Sequence, residues 1–254
     1  MASPRTPVQD QILAVDIGAT NVKFCHVDIH GDLLEGVRRR PTPYPCSPER
    51  LIEALDERIE ISECPRVGIG FPGEFIDGKV VRPGNLSRPG GVTTDVDPDL
   101  EAQWLGFELQ SALCKVTGRD VRVVNDATLA ALGSIEGHGV ELVLTLGTGL
   151  GIALAVDGTL RKIRDVGAEV FVRGKTYDQT IGERARSLDD ARWNPTLVEV
   201  VDRFAKEFHA DTVHLAGGNA RRVVPTEFEH LAYHVVIHGN EAPMRGAARL
   251  FATT

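Results

Sequence analysis

The chain predicts an α/β fold of two similar lobes, on three observations. A strand–glycine turn–strand unit occurs twice. Short apolar runs bounded by turn residues alternate with helical stretches that open on a cap and a proline. The boundary between the two halves falls near an Asn-Asp pair, Asn125-Asp126. The first unit is ILAVDIGATNVKFCHVD over residues 12–28 and the second is LVLTLGTGLGIALAVD over 142–157. With Asp16 laid on Thr145, Gly18 falls on Gly147, Ala19 on Thr148 and Thr20 on Gly149. Such a pair of turns offers backbone N–H groups to an anion, and a duplicated core implies a cleft between its halves.

The remaining elements follow in order. Val67–Phe71, Val121–Val124 and Val213–Ala216 read as buried strands. Ser47-Pro48 opens a helix with Leu51, Ile52, Leu55 and Ile59 as its apolar stripe. Asp97-Pro98 opens a second, with Trp104, Leu105, Leu109 and Leu113 on one face, and Asn194-Pro195 a third, with Leu197, Val200, Val201, Phe204 and Phe208. A small-residue helix follows Asp126, and residues 241–252 form a short amphipathic closing helix. Segments 72–97 and 157–195 are loop-rich and suit substrate-binding roles. The expected division is residues 1–125 and 126–254, with the last helix packing back on the N-terminal lobe.

Composition narrows the function. With 42% hydrophobic and 25% charged residues, the 254-residue chain is an ordinary globular sequence. No apolar run reaches the ~18 residues of a membrane span. The first ten residues lack a secretory apolar region and read as a disordered lead-in. Cys25, Cys46, Cys64 and Cys114 are scattered without metal-ligand spacing, which points to a reducing cytoplasm. A net charge of −8 argues against nucleic acid as a partner. Arg161, Lys162, Arg164, Arg173 and Lys175 still make a local basic stretch after the second glycine turn.

Five motifs carry chemistry. In Asp16-Ile17-Gly18-Ala19-Thr20-Asn21, Gly18 admits a phosphate close to the backbone, Thr20 and Asn21 offer side-chain hydrogen bonds, and Asp16 is placed to hold Mg²⁺ through water or to orient a phosphoryl group. Gly147-Thr148-Gly149 forms the second turn. Val123-Val124-Asn125-Asp126 delivers an Asn-Asp pair from a strand into a helix start. There Asp126 reads either as a helix N-cap or as a carboxylate that takes a proton from a substrate hydroxyl, with Asn125 binding the same substrate. Phe71-Pro72-Gly73-Glu74 and Arg82-Pro83-Gly84-Asn85 make a rigid loop on which Asn85 either forms the turn or reads a sugar hydroxyl. Gly217-Gly218, between a strand and an expected helix start, suit a nucleotide or phosphate chain.

DIGATNVK, FPGEF…VRPGNL, VVNDA, LTLGTGLGIAL and LAGGNA together resemble, in order and spacing, the ROK sugar kinases, which have the actin-like, ribonuclease-H-like ATPase fold. The resemblance covers about residues 12–250. It is nearest the polyphosphate glucokinase branch, through RGKTYD at 173–178, Ile181-Gly182, Trp193-Asn194 and the GGNA form. It implies Mg²⁺-dependent phosphoryl transfer from ATP or polyphosphate to a sugar hydroxyl, and a homodimer. Asp126 would then be the base, and Asn85, Asn125 and Glu169 the sugar contacts. Asp178 would stand where the branch usually has glutamate, and Gly18, Thr20, Gly147, Thr148 and Gly149 would cradle phosphates.

One departure bears on the acceptor. The family has Glu-x-Gly-His, whereas here Glu169 is followed by Val170-Phe171-Val172, so a valine stands where the histidine binds the sugar near its anomeric end. Glucose is therefore expected to be a poor acceptor. A non-enzymatic sugar or nucleotide sensor derived from a kinase stays open beside the enzyme. A ROK-type repressor does not fit a chain that enters its first phosphate strand by about residue 12.

Overall fold

The computed structural model describes residues 7–164 and 166–252. The first six residues of the expected lead-in lie outside this range, and Val8–Asp10 form one 3-10 turn. The chain divides into two compact units, one running to Leu129 and including the segment from Pro243, the other Ala130–Ala242.

The first unit holds β1 (Gln11–Ile17), β2 (Asn21–Asp28), β3 (Arg38–Pro41), α1 (Pro48–Ser62), β4 (Arg66–Phe71), the hairpin β5 (Glu74–Ile76) and β6 (Lys79–Arg82), α2 (Pro98–Trp104), α3 (Leu109–Thr117), β7 (Asp120–Asn125) and the start of α4 (Asp126–Ser134). Its main sheet has the order β3-β2-β1-β4-β7. The β1–β2–β3 meander is antiparallel, and β4 and β7 join in parallel. On one face, Leu51, Leu55 and Ile59 of α1 and Leu109 and Leu113 of α3 pack with Leu13, Val15 and Ile17. Ser47 starts α1 as foreseen, its Oγ accepting from the Arg50 amide at 3.2 Å.

The second unit holds β8 (Val140–Leu146), β9 (Leu150–Val156), β10 (Thr159–Arg161), the small hairpin β11 (Val170–Val172) and β12 (Lys175–Thr176), α5 (Tyr177–Ile181), α6 (Glu183–Leu188), α7 (Asp190–Phe208), β13 (Thr212–Ala216) and β14 (His234–Ile237). Its main sheet has the order β10-β9-β8-β13-β14. Again an antiparallel meander is followed by two parallel strands. The repeat seen in the sequence is thus a repeat of topology, strand for strand. Trp193, Leu197, Val200 and Phe204 of α7 cover one face of this sheet. The closing helix α8 (Ala242–Arg249) packs in the first unit, with Met244, Ala247 and Ala248 against Ile12, Ala14 and Val27.

Three expectations are corrected. The helix opened by Asp97 is two helices, because Gly106 takes φ +78° and the segment pairs with β6, Gly106 donating to the Val80 carbonyl and Val80 to that of Phe107. Leu105 is exposed in consequence. The helix assigned to Asn194-Pro195 begins at Asp190, capped by Asp189, with Pro195 inside it. Asn194 is buried, donating to the Arg222 carbonyl and accepting from the Val224 amide. Finally, 157–195 is not mainly loop but carries a two-stranded sheet and two short helices.

The second unit also buries a charged group. Glu141, 1% exposed, accepts from the amides of Glu136 and Gly137, both at 2.6 Å, and lies 2.8 Å from His214 Nε2. Burial alone would raise its pKa. The two amides and His214 outweigh burial and hold it below the ordinary glutamate value. The unfolded chain therefore binds this proton more tightly, and the stability Glu141 contributes is lost as pH falls below the usual glutamate range. Glu141→Gln puts an amide NH₂ toward one of these donors and is expected to cost about 2 kcal/mol, read as a lower urea midpoint at pH 7. An unchanged midpoint would show that water replaces the carboxylate.

Candidate functional site

In the first unit the sheet delivers two carboxylates to one end. Asp16, the penultimate residue of β1, is 7% exposed. Lys23 stands opposite it in the β1–β2 ladder, with Nζ 2.6 Å from Asp16 Oδ2. Asp126 follows β7 directly as the first residue of α4. The N-cap role belongs to Asn125, whose Oδ1 accepts from the amides of Ala127 (2.9 Å) and Thr128 (3.3 Å) while its Nδ2 donates to the Gly73 carbonyl (2.9 Å). Asp126 accepts from the Ala127 amide at 2.8 Å, and its own amide also acts on the carboxyl. Burial, then the charge of Asp16, pushes the Asp126 carboxyl up to about 7, against the pull of those amides and of Lys23.

The first glycine turn is tied from behind. Gly18 donates to the Asn21 carbonyl at 3.0 Å. The Gly18 carbonyl accepts from Thr42 Oγ1 (2.7 Å), that of Ala19 from the Tyr44 hydroxyl (2.8 Å), and that of Thr20 from the Thr42 amide (3.0 Å). With the carbonyls engaged, the amides of Ala19 and Thr20 donate to nothing among the described residues. This is the arrangement of an anion nest. Tyr44 also reaches the Asn85 carbonyl, at 3.4 Å. Asn85 sits on a loop made rigid by Gly84, where a φ of +58° and the close approach of the Pro72 carbonyl leave no place for a Cβ. The side-chain amide of Asn85, a half-buried residue, has no partner among the described residues.

The second turn repeats the device. Gly147 donates to the Gly149 carbonyl at 3.0 Å, and its own carbonyl accepts from the Glu183 amide (2.9 Å) and Asn219 Nδ2 (3.1 Å). The amides of Thr148 and Gly149 have no partner among the described residues. Asp178 Oδ1 accepts from the Leu150 amide at 2.7 Å, so it braces this turn. Gly217 and Gly218 follow β13, but only a 3-10 turn, Ala220–Arg222, succeeds them, and the expected helix start is absent there. Their contribution is to bring Asn219 behind the second turn. Glu169 is 2.8 Å from Arg164, which also pairs with Glu207 at 2.7 Å. Phe171 stacks on Tyr177 with ring centroids 4.8 Å apart, which gives it a packing role, and Val172 is 38% exposed.

Lys23, Thr42, Tyr44 and Glu183 were not foreseen. Lys23 alone had a legible signal, since a turn closing Ile17 on Val22 sets residue 16 against residue 23. For the metal, Mg²⁺ needs one or two carboxylates beside substrate phosphates rather than a protein cage. Asp16 fits, because Oδ1 has no partner among the described residues and only Oδ2 is taken by Lys23. No cluster of three ligating side chains occurs among those residues.

Two topologically equivalent α/β units, each with a glycine turn after its first strand, define the actin-like ATPase fold. The chain belongs to the ROK family, whose model matches residues 12–164. It is 24% identical over 234 residues to a polyphosphate glucokinase of Mycobacterium tuberculosis, spanning 87% of this chain and 82% of that one. It is 32% identical over 170 residues to a glucokinase of Thermotoga maritima, spanning 63% of this chain and 49% of the relative. The crystal structure of an inorganic polyphosphate/ATP-glucomannokinase from Arthrobacter sp. strain KM superposes with a TM-score of 0.76 at 28% identity, covering 95% of this chain and 98% of that one.

Proposed function

We propose that this protein is a sugar kinase that moves a phosphoryl group from polyphosphate or ATP to a hydroxyl of glucose or a related sugar. The observation that carries this reading is Asp126, a buried carboxyl with a pKa of about 7 beside Asp16, in a fold whose two glycine turns present unpaired amides. Asp126 takes the proton of the sugar hydroxyl as its oxygen attacks the terminal phosphorus. The bridging P–O bond breaks, and the electron pair leaves with ADP or the shortened polyphosphate. The amides of Ala19, Thr20, Thr148 and Gly149 hold phosphate oxygens, and Asn85 and the second Asn125 N–H bind sugar hydroxyls. Glu169 and Asp178 are assigned to the sugar side by the family motif; in the free protein they hold Arg164 and Leu150. Mg²⁺, held by Asp16, would neutralise charge on the transferring phosphates. Lys23, with Nζ 2.6 Å from Asp16 Oδ2, orients that carboxylate.

The test is a coupled assay offering glucose, mannose, N-acetyl sugars and polyols with Mg²⁺ and either donor. Turnover that Asp126→Asn removes supports the kinase. Sugar binding with no turnover for any pair would make the protein a sensor instead. Val172 carries a second prediction. Without the family histidine, a buried sugar hydroxyl goes unpaired at about 1–3 kcal/mol. Val172→His is therefore expected to raise kcat/KM for glucose about tenfold, and an unchanged value would show that the anomeric end is bound elsewhere.

A further inference from the structure

β3 is the edge strand of the first sheet and reads Arg38-Arg39-Arg40-Pro41, with all four residues exposed. Charge and proline on an edge discourage unwanted pairing, but that purpose does not need three consecutive cations. In a chain of net charge −8, only Arg38 has a carboxylate partner among the described residues, Glu35 at 2.7 Å. Arg39 and Arg40 have none there. Two further observations tie the strand to the first glycine turn. It runs directly into Thr42, whose amide and hydroxyl hold the Thr20 and Gly18 carbonyls. Arg39 also stands opposite Lys23, which itself stands opposite Asp16, so one row crosses three neighbouring strands on one face of the sheet.

The cations therefore run along the exposed edge away from the turn, Arg39 on the face of Lys23 and Asp16, Arg38 and Arg40 on the opposite face. From Thr42 to Arg38 the edge extends ~13 Å at about 3.3 Å per residue. The phosphates of ATP end in a nucleoside, whereas inorganic polyphosphate repeats its charge along the chain and rewards such a path. In the basic stretch after the second turn, Arg164 is spent on Glu169 and Glu207. We propose that the arginine strand holds the distal phosphates of a polyphosphate donor whose terminal phosphate lies at the first glycine turn. This rests on the kinase reading above.

The experiment compares the wild type, Arg39→Gln/Arg40→Gln and Arg39→Lys/Arg40→Lys with ATP, tripolyphosphate and long-chain polyphosphate at several salt concentrations. Binding of long-chain polyphosphate is measured alongside turnover. In the glutamine variant KM for the long chain should rise about tenfold with kcat held, and ATP and tripolyphosphate kinetics should not change. The slope of log affinity against log salt should fall by roughly 0.7 for each phosphate the variant no longer neutralises, and the lysine variant should recover most of the affinity. The proposal is overturned if the glutamine variant matches the wild type on long chains, if the wild type turns over ATP but does not bind polyphosphate, or if single-stranded DNA competes equally. Loss of long-chain binding in the glutamine variant, in a protein that phosphorylates no sugar, would keep the arginine path and overturn the kinase instead.

Discussion

Asp126→Asn is expected to lower kcat about a thousandfold while leaving sugar binding close to wild type. A positioned general base contributes roughly 10²–10⁴, and an asparagine keeps the shape without accepting the proton. The wild type supplies a companion measurement. A base with a pKa of about 7 must be ionised to work, so kcat/KM should fall about tenfold per pH unit below neutrality and level off above it. Stability should move the opposite way. The folded protein holds the Asp126 proton between about pH 4 and 7, where the unfolded chain has released it, so folding weakens as pH rises through that window. Asp126→Asn removes the buried charge and should raise Tm at about pH 8, with a smaller gain at about pH 5. A variant that loses both activity and Tm would show that Asp126 is structural. A flat acidic limb would assign the proton to another group.

The site was legible in the sequence where it is local. A glycine turn between apolar strands announces itself within about ten residues, and both turns lie where the pattern put them. Asn125-Asp126 was equally visible, although the division of labour was not. The local pattern could give the N-cap to Asp126, and only the structure shows Asn125 accepting from the Ala127 and Thr128 amides, with the Ala127 amide shared with Asp126. What holds the turns was hidden because it comes from afar. Thr42 and Tyr44 reach back 24 and 25 residues to carbonyls, and a carbonyl has no sequence signature. The helix errors have a tertiary cause as well. Val80 takes Gly106 and Phe107 into backbone pairing, which outweighs the helical spacing of Leu105 and Leu109. Likewise Asp189 caps α7 a turn ahead of Asn194-Pro195, whose asparagine is used to hold the chain at Arg222 and Val224.

Gly182→Ala should cost at least about a hundredfold in kcat/KM for the donor, although Gly182 is named in no catalytic role. Its φ of −64° is ordinary, so the constraint is space. A Cβ there would overlap the Thr148 carbonyl oxygen and lie 2.5 Å from that of Asp178. Both are backbone atoms, so relief requires the second turn or the first residues of α5 to move. Either movement disturbs the amides of Thr148 and Gly149, since Gly182 is followed by Glu183, whose amide holds the Gly147 carbonyl. It also disturbs the Asp178 carboxylate that braces Leu150. A displacement of about 1 Å in groups that position a reacting phosphate is enough for a loss of this size. The effect should fall on the donor, and sugar affinity in the absence of donor should be retained. Circular dichroism and Tm separate this from unfolding. If the alanine variant folds and keeps wild-type kcat/KM with both donors, the second turn does not hold the donor phosphates, and the first turn must hold them alone.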